Sequence, residues 1–302
     1  MKPYANLHTH TNHSDGKYSP RELVHIAREE GYSALAVTDH DTVTANPEVA
    51  ACCRELGMEY IFGAEFTSGP FHIVALDFDP EYPKMKEYLQ KMVLRQQHET
   101  KTVLQMAQAK GALTGITWED VVAHNRGVSW LCNEHVFQTL KSKGLLSDRD
   151  YYDFYVTHFY EQRRQVTHLC DHLAPKDMIA LIRAAGGIAI LAHPHQQLDR
   201  VEELIACGLQ GIEVYHPDLT PQEQRQALAI AYEKGLFISG GTDHSGLCGG
   251  IYSSFEDPTE SVYYLEPQSH GTLEEHFREI QNRKLSNRET IPQYTASHKH
   301  YR

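Results

Sequence analysis

With 302 residues, 41% of them hydrophobic and 23% charged, the chain can bury a substantial core and reads as one elaborated domain or a domain with an insertion. A formal charge of −12 disfavours broad nucleic-acid binding, which relies on Lys and Arg, and no stable nucleic-acid partner is expected. No apolar run approaches the roughly 20 residues of a membrane span, and the N-terminus lacks a basic-then-apolar leader, so a cytoplasmic protein with no membrane partner is expected. The six cysteines include no C-x-x-C pair, and the 20 histidines exceed what surface chance comfortably supplies.

Tyr4 to Leu7 reads as a short strand that runs into His8-Thr9-His10. Residues i and i+2 of an extended segment face one side, so the two imidazoles form a chelating pair. Asp15 follows in a polar Ser14-Asp15-Gly16 turn that folds back over the same spot. Two imidazoles and a carboxylate suit Zn, Mn or Fe better than Ca or Mg. Ser19-Pro20-Arg21-Glu22 is a capping box with proline at the first helical position, and Gly31 closes that helix. The strand Ser33 to Thr38 ends at Asp39-His40-Asp41. A helix from Asn46-Pro47 to Gly57 precedes the strand Glu59 to Phe62, which ends at Gly63-Ala64-Glu65. Phe71 to Phe78 is β-like and carries His72.

After Asp79-Pro80 the period changes. A long helix from Pro83 to about Lys110 and shorter aromatic-rich helices to about Asp171 read as a helical insertion, with Trp118, Trp130 and Tyr151 to Tyr155 as its own core. Alternation resumes at Pro175. The strand Ile188 to Ala192 ends at His193-Pro194-His195, and Gly211 to Tyr215 ends at His216-Pro217. Thr220-Pro221-Gln222-Glu223 is another capping box, and Leu236 to Ser239 leads to Thr242-Asp243-His244. Thr272 to about Lys284 makes the last helix, with a loose tail from Leu285.

Alternating strands and helices imply a parallel β/α architecture, in which functional groups gather at the carboxyl ends of several strands. One histidine after a strand is usually structural. His8/His10, Asp39/His40, Glu65, His193 and Asp243/His244, each just past a separate apolar strand, make a constellation.

The residues His8-Thr9-His10 with Asp15, Thr38-Asp39-His40, Gly63-Ala64-Glu65, Phe71-His72-Ile73, Ala192-His193-Pro194 and Gly241-Thr242-Asp243-His244 resemble the PHP family, the polymerase and histidinol phosphatase family of metal-dependent phosphoesterases. The resemblance implies a distorted (β/α)7 barrel over residues 1–80 and 172–284, with a helical insertion over 81–171 as substrate lid and a tail over 285–302. It implies two or three divalent ions, Mn, Zn or Fe. His8, His10, Glu65 and Asp243 would hold one, bridging Glu65 with His72 and His193 a second, and Asp15, His40 and His244 a third. A bridging carboxylate keeps metals about 3.5–4 Å apart, and a metal-bridging hydroxide would then attack phosphorus.

Two departures from the family pattern stand out. The last aspartate and histidine are usually two apart, whereas Asp243 and His244 are adjacent; His195 and His216 are candidates to complete that site or to protonate the leaving group. Where related nucleotide phosphatases carry Arg-Pro-His, this chain reads Asn133-Glu134-His135. His135 is kept without the arginine, so Lys17, Arg126, Arg163 and Arg164 are the candidate phosphate contacts.

The function implied is hydrolysis of a small phosphate ester, a nucleotide or ribose phosphate including a cyclic one. A 5′-to-3′ exonuclease on short RNA and a non-catalytic metal-binding module of the kind attached to polymerases are the alternatives.

Overall fold

The computed structural model describes residues 2–166, 172–243 and 270–290, with backbone alone at 161, 163, 164 and 283–290. Three two-residue strands, β1 (Ala5–Asn6), β2 (Ala34–Leu35) and β3 (Glu59–Tyr60), form a parallel sheet in that order. Helices α1 (Pro20–Glu29) and α2 (Asn46–Glu55) connect them. The Ser19 capping box forms, with Glu22 Oε2 accepting from Ser19 N–H at 2.9 Å.

The second sheet has five strands in chain order: β4 (Gly63–Ser68), β5 (Phe71–Leu76), β6 (Ile188–Leu191), β7 (Gly211–Tyr215) and β8 (Phe237–Gly240). It is mixed, which corrects the expected all-parallel arrangement. β5 runs antiparallel to both β4 and β6, while β6, β7 and β8 are parallel. The cause is the tight turn at Gly69-Pro70, where Gly69 takes a positive φ of 62° and makes a hairpin in place of a helical crossover.

Glu65 therefore lies inside β4, not at the end of the strand before it. The Asn46 side chain separates the two strands, donating to Gly63 O at 3.0 Å and accepting from Gly63 N–H at 3.1 Å. A side chain at 63 would meet Thr38 Cγ2 at 3.0 Å and Val37 O at 3.1 Å, so glycine permits this close approach.

The described strands form two sheets, not one closed barrel. Hydrogen bonds join the sheets along two seams. At one, His40 bridges Glu65 in parallel, with Asp41 N–H donating to Glu65 O at 2.9 Å. At the other, Leu7 N–H donates to Gly240 O at 3.2 Å and Asp243 N–H to His8 O at 2.9 Å.

Helices α3 (Pro83–Ala109), α4 (Trp118–His124), α5 (Asn133–Ser142), α6 (Tyr151–Asp153) and α7 (Glu161–Val166), with a π-helical turn over Phe154–Tyr160, follow β5. The first half of α3 packs Met85, Tyr88 and Met92 on the β4–β5 hairpin. Its second half joins a separate apolar cluster with Phe137, Tyr151 and Phe154, in which the Phe137 and Tyr151 rings meet edge-on at 4.9 Å. Trp130 is also buried, but its ring lies 6.1 Å from that of His40.

Helix α8 (Pro175–Ala184) leads into β6, α9 (Val201–Ala206) and α10 (Pro221–Lys234) link β6 to β7 and β7 to β8, and α11 (Glu274–Thr290) closes the described chain. The expected loose tail is helical as far as Thr290. Low apolar content does not by itself prevent a helix there. No helix among the described residues is long and apolar enough to cross a membrane.

A polar clamp fastens α11 to the first sheet. Glu59 Oε2 accepts from Arg278 and Gln281, each at 2.8 Å, while Tyr4 donates its hydroxyl proton to Oε1. Partial burial opposes the Glu59 charge, but these three donors outweigh it and hold the carboxyl down at about 2. The folded value lies below the ordinary 4.5, so this stabilisation is present above pH 4.5 and is lost as pH falls towards 2. Discounted for solvent screening, Glu59→Gln should cost about 1 kcal/mol at pH 7. Paired denaturant titrations of parent and variant should show that gap narrowing between pH 5 and pH 3; a constant gap would refute the charge assignment.

Candidate metal centre

The carboxyl ends of the strands converge on Glu65. Its side chain is fully buried and touches five imidazoles. Oε2 lies 3.3 Å from His8 Nε2, 3.4 Å from His10 Nε2 and 3.1 Å from His40 Nδ1. Oε1 lies 3.1 Å from His72 Nδ1 and 3.0 Å from His193 Nε2. Asp243 caps the His8/His10 side, with Oδ1 at 3.4 and 2.9 Å from their Nε2 atoms. Asp15 caps the His40 side, 3.4 Å from His10 Nδ1 and 3.6 Å from His40 Nε2.

Local chemistry sets these positions. Thr9, between the two histidines, faces the other way and donates its hydroxyl to Ala36 O at 2.8 Å, which leaves both imidazoles on the cluster side. Asp39 is buried and accepts from Thr11 N–H and Thr11 Oγ1 at 2.7 Å and from Ser14 Oγ at 2.8 Å, folding the loop that carries Asp15. Asn6 ties the last strand to the first, accepting from Thr242 N–H at 3.1 Å and donating to Thr242 Oγ1 at 2.9 Å. A Cβ at Gly241 would sit 2.5 Å from both His8 Cβ and His8 N, so only glycine fits beside this histidine.

The electrostatics are those of carboxylates surrounded by imidazoles. Burial opposes ionisation of Glu65, but His8, His72 and His40 outweigh it and hold the carboxyl well below its usual range. Asp243 and Asp15 are likewise held low against burial, chiefly by His8 and His40 respectively. Burial disfavours the charged His40 and His193 rings, yet the carboxylates beside them hold these up at about 10 and about 9. His72 is pushed down by burial.

Proton sharing does not satisfy the whole cluster. His8 Nε2, both nitrogens of His10, His40 Nδ1 and Glu65 Oε2 are buried and make no hydrogen bond. Buried polar atoms are nearly always paired, and lone-pair donors converging on a shared point are what a cation satisfies. The residues therefore fit divalent metals, and the mixed nitrogen and oxygen donors favour Zn, Mn or Fe over Ca. Four sets of donor atoms lie within 4.8 Å of one another: His8/His10/Glu65/Asp243, His40/Glu65/His72, His10/Asp15/His40 and His8/Glu213/His216. The side chains of Asp15, Asp243 and His72 are 26–34% exposed, so the cluster opens to solvent on one side.

Eight of the nine predicted ligands meet at this cluster: His8, His10, Asp15, His40, Glu65, His72, His193 and Asp243. The ninth, His244, lies outside the described residues. His216 joins them, its Nε2 at 3.6 Å from Asp243 Oδ2. His195 does not; its exposed ring pairs with Glu223 at 3.0 Å, at the start of α10. Lys17 and Arg126 are exposed, with Lys17 over the Tyr18 ring. Arg163 and Arg164 fall on α7, and only their backbone is described.

His135 is buried with both ring nitrogens engaged. Nδ1 accepts from Cys132 N–H at 2.9 Å and Nε2 donates to Asn12 O at 2.9 Å. Burial pushes its pKa down to about 4, so the ring is neutral and fastens α5 to the Asp15 loop.

Sequence reasoning missed Glu213, a fully buried carboxylate on β7 beside His8. The signal was a lone charge in the apolar run Gly-Ile-Glu-Val-Tyr. It also missed Arg95 on α3, which pairs with Glu99 at 3.2 Å and reaches His172.

Residues 6–285 match the family model of the PHP domain. The chain is 26% identical over 254 residues to a phosphoribosyl 1,2-cyclic phosphate 1,2-diphosphodiesterase of Eggerthella lenta, covering 82% of this chain and 95% of the relative. It is 31% identical over 264 residues to a 5′-3′ exoribonuclease of Haemophilus influenzae, covering 83% and 93%. It is 28% identical over 254 residues to a 3′,5′-nucleoside bisphosphate phosphatase of Chromobacterium violaceum, covering 79% and 86%. A Bifidobacterium adolescentis structure assigned as a metal-dependent phosphoesterase shares the fold, with a TM-score of 0.68 at 24% identity over 94% of this chain and 98% of the other. With the histidine and carboxylate cluster at its strand ends and a family match over nearly its whole length, the chain belongs to the PHP domain family.

Proposed function

We propose that this protein is a metal-dependent phosphoesterase that hydrolyses a small phosphate ester of a nucleotide or ribose, cyclic ribose phosphates included. The observation that carries this reading is the Glu65 carboxylate buried among five imidazoles, with unpaired donor atoms converging on it. His8, His10, Glu65 and Asp243 would hold one ion, and Glu65, His72 and His193 a second. Asp15 and His40, with His10 facing both, are the described part of a third set. Mn, Zn or Fe would neutralise phosphoryl charge and acidify water when bound. The two sheets and their seams support a distorted barrel, and the helices over 81–171 are read as the lid that selects substrate.

The chain's own groups account for orientation and proton transfer. The His216 ring accepts from Asp218 N–H at Nδ1, at 3.2 Å, so its proton sits on Nε2, the atom facing Asp243. A buried imidazole N–H at the rim of the cluster can protonate a departing alkoxide. Asp15, Asp243 and His72 line the open side through which substrate enters.

Phosphate release with added Mn, measured on cyclic ribose phosphates, nucleotide monophosphates, 3′,5′-bisphosphates and a short 5′-phosphorylated RNA, tests the reading. One small ester should exceed the others. A clear preference for the RNA would favour the exonuclease reading, which the 31%-identical relative supports. Bound metal with no hydrolysis of any substrate would favour a non-catalytic module.

Glu65→Gln should lower turnover on the order of 10³-fold and reduce metal content; near-full activity would refute the shared-carboxylate reading. His216→Asn should keep its metal and lose about 10²-fold on an alkyl phosphate but far less on an aryl phosphate with a good leaving group. Equal losses on both esters would remove His216 from the acid role.

A further inference from the structure

Glu213 is a fully buried carboxylate beside the cluster to which the reading above gives no metal or proton, and both of its oxygens are used. Oε1 lies 2.9 Å from His8 Nδ1, and Oε2 accepts from the His193 backbone N–H at 2.7 Å. An ionised carboxylate only accepts hydrogen bonds, so the contact at Oε1 requires the proton on His8 Nδ1. Nε2 is then bare, and it is the nitrogen that faces Glu65 Oε2 at 3.3 Å and Asp243 Oδ1 at 3.4 Å.

The second contact fixes a backbone. His193 has a positive φ of 27°, a conformation strained for a side-chain-bearing residue that persists where its surroundings impose it. A short, charge-assisted bond from its N–H to a buried carboxylate is such an imposition. In that turn the ring delivers Nε2 to 3.0 Å from Glu65 Oε1, the opposite oxygen from the one His8 faces.

We infer that Glu213 is a positioning residue shared by two metal sites it does not itself ligate: it selects the Nδ1–H tautomer of His8 and pins the turn that aims His193. The inference rests on the metal-centre reading. It implies that one side chain on β7 sets the donor geometry on both oxygens of Glu65.

Glu213→Gln is close in size but offers one acceptor and one NH2 donor to two donors. It must either lose the His193 contact or drive His8 to the other tautomer, with the proton on Nε2. Zn titration of the metal-free protein against a chromophoric chelator reads the effect, with circular dichroism of the metal-free variant as the folding control. The variant should keep its metal-free fold and bind Zn about 10- to 100-fold more weakly. Unchanged affinity at every site would overturn the inference.

A wild-type chain that takes up fewer than two Zn removes the metal-centre reading and this inference with it, a result distinct from any behaviour of the variant. Should Glu213→Gln not fold, histidine ¹⁵N spectra of the Zn-loaded wild type decide. His8 protonated at Nδ1 and bound through Nε2 supports the assignment. His8 bound through Nδ1 overturns it and puts an ion between His8, Glu213 and His216.

Discussion

Everything at the strand ends depends on burying the charge of Glu65. A carboxylate removed from water costs several kcal/mol unless nearby groups compensate, and no Lys or Arg contacts this one in the described structure. Compensation comes from His72 on β5 and from imidazoles in the segments that follow β1, β2 and β6, all turned toward the carboxylate. Histidine suits this because it changes charge within the working pH range: protonated, it balances the carboxylate, and neutral, it offers a lone pair. The same five rings can therefore stabilise the metal-free chain and serve a metal-loaded one.

That demand explains why so few residues form regular ladders in the first sheet. β1, β2 and β3 have two residues each, and side chains hold their continuations in place. Thr9 reaches Ala36 O, Asn6 holds Thr242, Asn46 holds Gly63, and Asp39 gathers three donors from the Asp15 loop. Backbone that bends to present ligands cannot also pair along its full length, so side-chain amides and hydroxyls replace the missing ladder bonds. Positive φ at Asp41, His193 and Asp243, all just past strands and all beside or within the cluster, belongs to the same accommodation.

This division also marks what was legible in the sequence. Apolar runs ending in His, Asp or Glu point to a candidate site, because strand period and ligand chemistry are both local; Glu65 falls in the cluster although it belongs to β4 and not to the strand before it. The β4–β5 hairpin was not legible, since Gly69-Pro70 resembles any loop and pairing direction depends on partners distant in sequence. Glu213 was visible as a charge inside an apolar strand, but its partners, His8 and His193, are separated from it by 205 and 20 residues. His135 was readable as a group near substrate and not as a fastener, because its two acceptor and donor contacts are backbone atoms, which leave no trace in residue identity.

Among the described residues, contacts of the helical block with the cluster's surroundings fall on the side of Asp15 and His40. Cys132 Sγ lies 3.3 Å from Ser14 O, His135 Nε2 donates to Asn12 O, and the Trp130 ring lies over that of His40. The side chains of His8, Glu65 and His193 lie on the side of the cluster held by the sheets and by Glu213. Substitutions in the helices can therefore reshape the surroundings of Asp15 and His40 while leaving the Glu65 centre intact. Such a separation is compatible with relatives named as differently as a cyclic phosphodiesterase, a bisphosphate phosphatase and an exoribonuclease. On the proposed reading the buried carboxylate and its rings supply the chemistry, and the leaving group would be distinguished by what surrounds the exposed rim.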